Sequence, residues 1–354
     1  MSALALWFDG PGQVAVRELA LAAPGPGEVR VEVLASAISP GTEMLIYRGQ
    51  FPPGESTDAT IAALGGTLGY PLRYGYSCVG RVITLGPGVE AGWQDRRVFA
   101  FQPHASAFVA PVAELIAIPD GISDEDALFL PNLETAVNFA HDGAPLLGER
   151  IVVLGQGIVG LLTTAALARL GPELIVTFDR FANRRHASLA LGATQSHDPT
   201  QGSAGSEGAD LVYELSGAPA ALDQAIALCG FDGRVVIGSW YGRKRVELDL
   251  GGRFHRSRIR LISSQVSTLA PALSGRWSKA RRIATAWQLC RAVQPARLIT
   301  HRYPLDRAAA AYAQVDARPG ETLQVAFTRG NWGRAPESSC IRYPSNANSS
   351  PNTP

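Results

Sequence analysis

The sequence has few cysteines, and none of them are clustered. The 354 residues contain four, Cys78, Cys229, Cys290 and Cys340, with no C-x-x-C pair among them. This spacing argues against a disulfide framework and against a zinc finger. It suits buried thiols in a reducing compartment, so we predict a cytoplasmic protein.

Net charge and long apolar runs are also lacking. Thirty-two Lys and Arg side chains are balanced by 31 Asp and Glu, for a formal net charge of +1. The protein therefore has no large net electrostatic field that would favour binding to nucleic acid or to an anionic membrane. No apolar run reaches membrane length, and the first nine residues have no basic segment of the signal-peptide type. We expect a small-molecule substrate, with no nucleic acid or membrane as partner.

Short strand patterns fill the first third of the chain. Glu28-Val29-Arg30-Val31-Glu32-Val33 alternates apolar and polar residues after the turn Pro24-Gly25-Pro26-Gly27. Similar strands are predicted at 79–83 and 97–101, each near a Gly/Pro turn. With no long amphipathic helix among them, these strands predict a small, barrel-like β-rich unit.

From about Asp124 the pattern changes to alternating strands and helices. Short apolar strands are predicted at 151–154, 174–178, 210–215, 234–237 and 261–266, with helices at 158–170, 220–229 and 278–292. Continuous apolar strands joined by helices are typical of a parallel sheet buried on both faces. We therefore predict an α/β fold with a doubly wound parallel sheet. The tail from Asn331, rich in Ser, Asn and Pro, is predicted to be disordered.

A glycine-rich loop follows the first of these strands and opens a helix. It reads Gly155-Gln156-Gly157-Ile158-Val159-Gly160. The first glycine permits a tight turn, the second lets the backbone approach a pyrophosphate, and the third permits close helix–strand packing. The helix amino terminus supplies free N–H groups and a positive dipole. The pattern predicts a dinucleotide site.

Asp179 ends the next strand, 19 residues beyond Gly160. A carboxylate there can accept both ribose hydroxyls and repels a 2′-phosphate, which favours NAD(H). NADP(H) stays open, because Arg180, Arg184 and Arg185 could hold a 2′-phosphate if the acid swung away. A solvated helix face is the simpler interpretation of these arginines.

Several short segments, taken together, resemble the medium-chain dehydrogenase/reductase superfamily from about residue 4 to residue 328. They are Pro24-Gly25-Pro26-Gly27-Glu28-Val29, Ala37-Ile38-Ser39, Gly75-Tyr76-Ser77-Cys78-Val79-Gly80-Arg81-Val82, Ile118-Pro119-Asp120-Gly121-Ile122-Ser123, Gly148-Glu149-Arg150 and Leu191-Gly192-Ala193. The resemblance implies a GroES-like β-rich catalytic domain at 1–127, a Rossmann NAD-binding domain at 128–266 and a return to the catalytic domain at 267–330, ahead of the tail at 331–354. It also implies a homodimer, which we expect to pair through the cofactor-domain sheets around residues 234–249.

Metal ligands of the zinc enzymes in this superfamily have no counterpart here. Ser39 corresponds to the metal-binding Cys, Tyr76 to the His and Ser77 to the Glu that follows it; Leu130-Pro131 occupies the place of the third ligand. Zinc needs at least three good N, S or carboxylate ligands at such a site. We predict no metal. Gly41-Thr42-Glu43 is similar to an element of zinc-free members, including the bacteriochlorophyllide hydroxyethyl dehydrogenases, and residues 254–266 resemble a further bacterial subgroup.

Hydride transfer without a metal still needs a proton donor or acceptor beside the reacting oxygen. By the resemblance, Thr42 matches a proton-relaying hydroxyl, Tyr76 points into the former metal space, and Glu43 holds one of them in place. Each also has a structural interpretation: a turn residue for Thr42, a pocket wall for Tyr76 and a salt bridge with Arg48 for Glu43. The further acid–base candidates are Glu134, His104 and, more weakly, His255, and Ser39 and Ser77 are expected to line the substrate pocket.

Strand ends supply the remaining cofactor candidates. Ser216-Gly217 and Gly238-Ser239 end two parallel strands at the carboxyl edge, where such sheets bind ligands. Ser264-Gln265 matches a stretch that contacts the nicotinamide carboxamide through its backbone. The small-residue insertion at 54–69 is expected to lie over the substrate entrance and to suit a substrate larger than ethanol.

Three functions remain open on the sequence. The first is hydride transfer between NAD(H) and a secondary alcohol or ketone. The second is reduction of an activated C=C bond as an enoyl or quinone reductase, against which Asp179 counts because those enzymes usually use NADPH. The third is a non-catalytic NAD-binding protein.

Overall fold

The computed structural model describes residues 2–52, 54–58, 60–202 and 207–329, so the predicted disordered tail at 331–354 lies outside the described residues. Residues 2–127 are mostly β-structure. Their strands and helices are β1 (Ser2–Gly10), β2 (Gln13–Ala20), β3 (Glu28–Ala37), α1 (Pro40–Tyr47), β4 (Cys78–Leu85), β5 (Arg97–Ala100), β6 (Ala107–Pro111), β7 (Leu115–Ala117) and α2 (Asp124–Ala127).

Strands and helices then alternate along the chain. They are α3 (Leu130–Gly143), β8 (Arg150–Leu154), α4 (Ile158–Leu167), β9 (Leu174–Phe178), α5 (Ala182–Ala190), β10 (Gln195–His197), β11 (Ala209–Glu214), α6 (Pro219–Leu228), β12 (Cys229–Ile237) and β13 (Arg260–Ser263). The last elements are α7 (Lys279–Val293), β14 (Ile299–Tyr303), α8 (Ala308–Ala317) and β15 (Gln324–Thr328). Within the described part of the chain, no helix is both long and apolar enough to cross a bilayer.

A six-stranded parallel sheet carries the predicted glycine loop. Its strand order is β10-β9-β8-β11-β12-β13, which is the doubly wound order in which the chain reverses direction beside its first strand. That strand, β8, has four buried residues out of five, as its apolar sequence predicts. The reversal lies between β8 and β11, so their carboxyl ends open the crevice where such sheets bind ligands.

The β-rich unit is a seven-stranded sheet with a separate hairpin. The order is β14-β15-β3-β4-β5-β7, with β6 also paired to β3, while β1 and β2 form a two-stranded sheet. β15 pairs antiparallel with β3 through Ala326 and Ala37. The last two strands, β14 and β15, therefore complete the sheet that β3 to β7 form. The division into 1–127, 128–266 and 267–330 remains a prediction.

Several predicted boundaries are wrong, and two of them have clear local reasons. The helix expected over 158–170 ends at Leu167, and a tighter 3₁₀ turn, Ala168–Leu170, leads to Gly171 with φ +70°. The strand expected over 261–266 ends at Ser263, because the backbone beyond it turns to meet side chains of other helices.

The segment expected to pair two cofactor domains is not at an edge of the sheet. Arg234 and its neighbours in β12 pair with β11 on one side and β13 on the other. The edge strand is β13. Its end residues, Arg260 and Ser263, are exposed. Because only a strand with free N–H and C=O groups can add a partner, any pairing of these sheets on this side must involve β13.

Candidate active site

The three glycines of the 155–160 loop occupy different environments. Gly155 has φ +93°, and a Cβ there would lie 2.6 Å from the Cα of Ser216. A Cβ on Gly160 would lie 2.0 Å from the carbonyl oxygen of Gly155. A Cβ on Gly157 would meet nothing within 4 Å. The first and third glycines are therefore required for packing, and the second borders open space.

That open space lies at the amino terminus of α4. Gly157 is the N-cap residue and no side chain caps the helix. The first N–H groups of an α-helix have no partner within the helix, and together with the helix dipole they attract an anion. The loop residues therefore fit the pyrophosphate of a dinucleotide, with Ile158 and Val159 contributing backbone rather than side chains. The Gln156 side chain is buried and bonds within the protein, to the Gly155 carbonyl and Thr164 Oγ1.

Asp179 sits beside this loop, at the end of β9. Its Oδ2 accepts the Gln156 backbone N–H at 2.8 Å and its Oδ1 accepts the Phe181 N–H at 2.9 Å. Each carboxylate oxygen can accept a further hydrogen bond. The carboxylate is thus oriented by backbone and retains acceptor capacity for the hydroxyls of a ribose.

The three arginines after Asp179 are arranged differently from one another. Arg184 reaches the Pro319 carbonyl at 3.0 Å, and its Nη1 lies 3.8 Å from Asp179 Oδ2. Arg185 bonds to Asp198 and to two backbone carbonyls. Arg180 is exposed and stacks over the Phe181 ring. Arg184 and Arg185 are thus engaged within the protein, which leaves Arg180 as the arginine nearest to solvent.

Ser216, Gly217 and Ser239 meet at the carboxyl ends of β11 and β12, as predicted. The Gly217 N–H donates to Ser239 Oγ at 2.9 Å. A residue that the sequence analysis missed, Glu214, holds this turn: its buried carboxylate accepts the Ser216 N–H and hydroxyl and the Tyr241 hydroxyl. The signal in the sequence was an acid at the end of an otherwise apolar strand.

Gly238 lies beside this turn, and its N–H donates to the Glu214 carbonyl at 3.1 Å. A Cβ there would lie 2.3 Å from the Phe139 ring and 2.6 Å from the Leu215 side chain. The missing side chain makes room for packing, and the assignment of Gly238 as a cofactor contact remains a prediction.

The stretch Ser264-Gln265 follows β13 at the same edge. The Ser264 N–H donates to the Ile237 carbonyl at 3.0 Å, and the Ser264 hydroxyl donates to Asp142. Gln265 is exposed, and its side chain accepts the Ser267 N–H. This stretch therefore lies at the carboxyl edge of the sheet, and its contact with a nicotinamide remains a prediction.

The β-rich unit meets this edge through α1. A Cβ on Gly242, in the loop after β12, would lie 2.7 Å from the Gln50 carbonyl and 3.8 Å from the Leu45 side chain. Leu45 belongs to α1, the helix that carries Thr42 and Glu43. The carboxyl edge of the parallel sheet is therefore closed on this side by the α1 region.

Three hydroxyls converge at the amino end of α1. The Tyr76 hydroxyl contacts Ser39 Oγ and lies 3.4 Å from Thr42 Oγ1. Ser39 is the N-cap residue of α1, and Pro40 at the first position fixes the helix start. The sequence placed these residues about 35 positions apart, and the fold brings their side chains together.

Tyr76 is protonated over the ordinary pH range. Burial raises the pKa of its phenol, and the charges of Glu43 and Asp58 act in the same direction, while hydrogen bonds with Ser39 and Thr42 oppose them. Asp58 belongs to the 54–69 insertion, so this loop lies close enough to Tyr76 for its charge to be felt. The phenol can donate a proton or a hydrogen bond.

Glu43 is the centre of a buried polar cluster beneath these hydroxyls. Its Oε1 accepts the Ser39 N–H at 2.7 Å, and its Oε2 accepts from the Tyr312 hydroxyl and lies 3.0 Å from His104 Nε2. His104 Nδ1 lies 2.7 Å from the Ser36 hydroxyl. Glu43, His104 and Tyr312 are fully buried. The cluster fixes Ser39, and through it Tyr76. Tyr312 was missed because nothing in α8 marks it out.

Several predicted site residues lie elsewhere than expected. His104 is fully buried, so it does not face a substrate directly. Glu43 does not pair with Arg48, which instead bonds to Asp316 at 2.7 Å. The Ser77 hydroxyl is buried and donates to the Leu128 carbonyl at 2.6 Å, which removes it from the pocket wall.

Glu134 and His255 are corrected as acid–base candidates. Glu134 is buried in α3, and its Oε1 accepts two hydrogen bonds from Arg282 at 2.8 and 3.0 Å. This carboxylate is therefore engaged with a buried guanidinium. His255 is exposed and precedes β13, so it lies at the amino edge of the parallel sheet, opposite the ligand crevice.

The donor set at the former metal position does not fit zinc. Ser39 and Tyr76 offer neutral hydroxyls, and Leu130 and Pro131 are buried apolar residues at the start of α3. In the described ranges there is no group of three or more His, Cys, Asp and Glu side chains able to hold a metal ion. We derive no chemical step through a metal.

Comparison with known proteins finds dehydrogenases. Residues 159–285 match the family model described as "Zinc-binding dehydrogenase". Sorbitol dehydrogenase 1 of Saccharomyces cerevisiae is 24% identical over 280 residues, covering 70% of this chain and 74% of the relative. The 2-desacetyl-2-hydroxyethyl bacteriochlorophyllide A dehydrogenase of Cereibacter sphaeroides is 26% identical over 347 residues, covering 90% and 96%.

Solved structures match almost the whole chain. 2R,3R-butanediol dehydrogenase from Bacillus subtilis superposes with a TM-score of 0.77 at 18% identity, covering 93% of this chain and 100% of that one. An alcohol dehydrogenase from Escherichia coli CFT073, complexed with NADH, gives a TM-score of 0.75 at 19% identity, covering 93% and 99%. These structures establish the alcohol-dehydrogenase-like fold, with a Rossmann-type parallel sheet. Residues 159–285 are therefore similar to the zinc-binding dehydrogenases, and the chain as a whole has the fold of the alcohol-dehydrogenase-like oxidoreductases.

Proposed function

We propose that this chain transfers hydride reversibly between NAD(H) and a secondary alcohol or ketone of a medium-sized metabolite, without zinc. One observation carries the proposal: the Tyr76 hydroxyl contacts Ser39 and lies 3.4 Å from Thr42. By the resemblance to the zinc enzymes, Tyr76 corresponds to a metal-binding His. Relatives named as sorbitol and butanediol dehydrogenases support an alcohol as substrate.

The cofactor residues of the proposal are the 155–160 loop and Asp179. Bound there, NAD(H) supplies the hydride acceptor or donor. The amino end of α4 binds the pyrophosphate, and Asp179 accepts from the ribose hydroxyls. NAD(H) is favoured over NADP(H) because Asp179 is held in place by two backbone N–H groups while Arg184 and Arg185 bond within the protein.

Tyr76 is the proposed acid. In reduction of a ketone its phenol donates a proton to the carbonyl oxygen, and in the reverse direction the phenolate accepts one. The Ser39 and Thr42 hydroxyls donate to the phenolate oxygen when it carries charge, which stabilises that form. Glu43 holds Ser39 through its backbone N–H and acts as a positioning residue.

Replacing Tyr76 by Phe tests the proposal directly. We expect Tyr76→Phe to reduce kcat for ketone reduction by about 10²–10⁴-fold, the usual worth of a positioned acid, with NADH affinity unchanged. Tyr303→Phe is the matched control, since Tyr303 lies in β14 and, among the described residues, its hydroxyl bonds to none of these three hydroxyls. Full activity in Tyr76→Phe would contradict the assignment of Tyr76.

The same assay separates the two other functions. An enoyl or quinone reductase would reduce an activated C=C bond with a strong preference for NADPH. A non-catalytic NAD-binding protein would bind NADH and show no activity that Tyr76→Phe or Thr42→Val alters.

A further inference from the structure

The loop that follows β13, residues 264–268, is held by buried side chains from two helices. It leaves the carboxyl end of β13 beside the end of β12, at the edge where parallel sheets bind ligands. The Ser264 hydroxyl donates to Asp142 and accepts from Asn138 Nδ2 at 3.0 Å. Asp142 and Asn138 both belong to α3, so the first residue of the loop is tied to that helix.

The other end of the loop is tied to Arg282 of α7. Arg282 is fully buried. Its guanidinium donates to the Val266 carbonyl and, at 2.9 Å, to the Thr268 carbonyl. Gln265 lies between these tethers with its side chain exposed.

Arg282 is itself held by α3. It donates twice to Glu134 and, at 2.6 Å, to Asn138 Oδ1. Its five N–H donors are therefore shared between two side chains of α3 and two carbonyls of the loop. One guanidinium joins α3, α7 and the 264–268 loop.

Stability alone does not explain this arrangement. Burying an ion pair costs desolvation that its attraction often only balances, and apolar side chains of similar size are commonly as stable. A planar guanidinium differs from apolar packing in fixing the direction of each group that it bonds. Arg282 therefore fixes the backbone conformation of the 264–268 loop.

We propose that Arg282 is a positioning residue that shapes the 264–268 loop as the wall of the nicotinamide end of the cofactor pocket. This inference rests on the proposed function, because it requires that a nicotinamide dinucleotide binds at the carboxyl edge. The adenosine diphosphate end is bound on the other side of the crevice, by the 155–160 loop and Asp179. Arg282 therefore affects one half of the cofactor and not the other.

Comparing NADH with ADP-ribose tests this division, since ADP-ribose lacks the nicotinamide. Both dissociation constants are measured by fluorescence titration, directly for NADH and by competition for ADP-ribose. In Arg282→Gln we expect the NADH Kd to rise on the order of tenfold, with the ADP-ribose Kd within about twofold of wild type. Arg282→Lys keeps the positive charge but lacks the planar guanidinium. Its NADH Kd should lie between those of the wild type and Arg282→Gln.

Two further variants guard against loss of folding and against a general effect of charge. The pair Arg282→Met with Glu134→Leu removes both buried charges, so that neither is left unpaired. In the folded double variant we expect NADH binding alone to be weakened. Arg291→Gln changes an exposed arginine of the same helix, which bonds to the Asp120 carbonyl, and should leave both constants unchanged.

The outcomes distinguish the two proposals. If Arg282→Gln weakened the binding of NADH and ADP-ribose equally, the proposed role of Arg282 would be overturned. An unchanged NADH Kd in the folded double variant would do the same. Either result would leave the proposed function standing. Wild-type protein that binds neither ligand would overturn the proposed function as well. Neither measurement requires turnover of a substrate.

Discussion

The imidazole of His104 occupies the space in front of Gly75. A Cβ on residue 75 would lie 2.6 Å from His104 Cδ2, and Gly75 has φ +112°. Because His104 is fully buried and bonded to both Glu43 and Ser36, it cannot move aside. The residue before Tyr76 must therefore be glycine, and the buried cluster sets the position of the phenol.

Gly75→Ala should consequently displace Tyr76. A displacement of about 1 Å at a reacting group can cost about 10²-fold in rate, so we expect a loss of that order in kcat with NADH affinity retained. Gly41→Ala is the control, since a Cβ there meets nothing within 4 Å and the residue lies in α1. Equal activity of the two variants would show that the phenol is not held by this contact.

The pH dependence of ketone reduction follows from the raised pKa of Tyr76. An ordinary tyrosine loses its proton near pH 10, and burial moves this ionisation of Tyr76 to higher pH. We expect Tyr76 to remain a competent acid from about pH 6 to pH 10. Steady-state kcat profiles of wild type and Tyr76→Phe check this. A fall in wild-type kcat centred below pH 9 that is absent from Tyr76→Phe would contradict it.

Cofactor choice should depend on Asp179. Asp179→Asn removes the charge that attracts the ribose hydroxyls and repels a 2′-phosphate. Hydrogen bonds to a charged acceptor contribute about 1.5–3 kcal/mol. KM for NADH should therefore rise by about 10–100-fold, and the enzyme's preference for NADH over NADPH should become smaller. Glu173→Gln, at an exposed acid beside the opposite, amino end of the same strand β9, should change neither value. An unaltered preference in Asp179→Asn would place the ribose elsewhere.

Metal content gives an independent test of the hydroxyl site. Purified protein should contain far less than one zinc per chain, because Ser39 and Tyr76 provide no thiolate or imidazole ligand. Elemental analysis before and after dialysis against a chelator measures this, with activity assayed in parallel. Stoichiometric zinc, lost together with activity, would contradict the proposal.

A dimer formed through β13 should be sensitive to proline at Ser263. The Ser264 N–H points towards β12, and alternate residues of a parallel strand face the same neighbour, so the Ser263 N–H faces outward. Ser263→Pro removes that donor, whereas Ser263→Ala retains it. Light scattering should show a dimer for wild type and Ser263→Ala and a weakened one for Ser263→Pro. Identical masses for all three would exclude β13 as the interface.

Local patterns predicted where the glycine loop and Asp179 lie in the fold. The glycines at 155, 157 and 160 and Asp179 have fixed spacings within one β-α-β unit, and each spacing has its own steric or chemical reason. Their positions beside one strand end follow from topology alone, because consecutive parallel strands place their carboxyl ends together.

Long-range contacts could not be predicted in the same way. Glu43 and Tyr312 are 269 residues apart, and Glu134 and Arg282 are 148 apart, so no local period links them. Sequence position also misplaced His104 and Ser77. Both lie near the right strands, and the direction of each side chain depends on packing that only the folded chain defines.

The hydrogen bond between Tyr312 and Glu43 also affects the order in which the protein becomes functional during synthesis. During synthesis the 155–160 loop and Asp179 leave the ribosome long before α8 and β15, which complete the sheet around β3. A chain interrupted before residue 308 would contain every glycine of the loop and all three hydroxyls, but Glu43 would lack its tyrosine partner. Nascent chains should therefore gain cofactor affinity before they gain turnover.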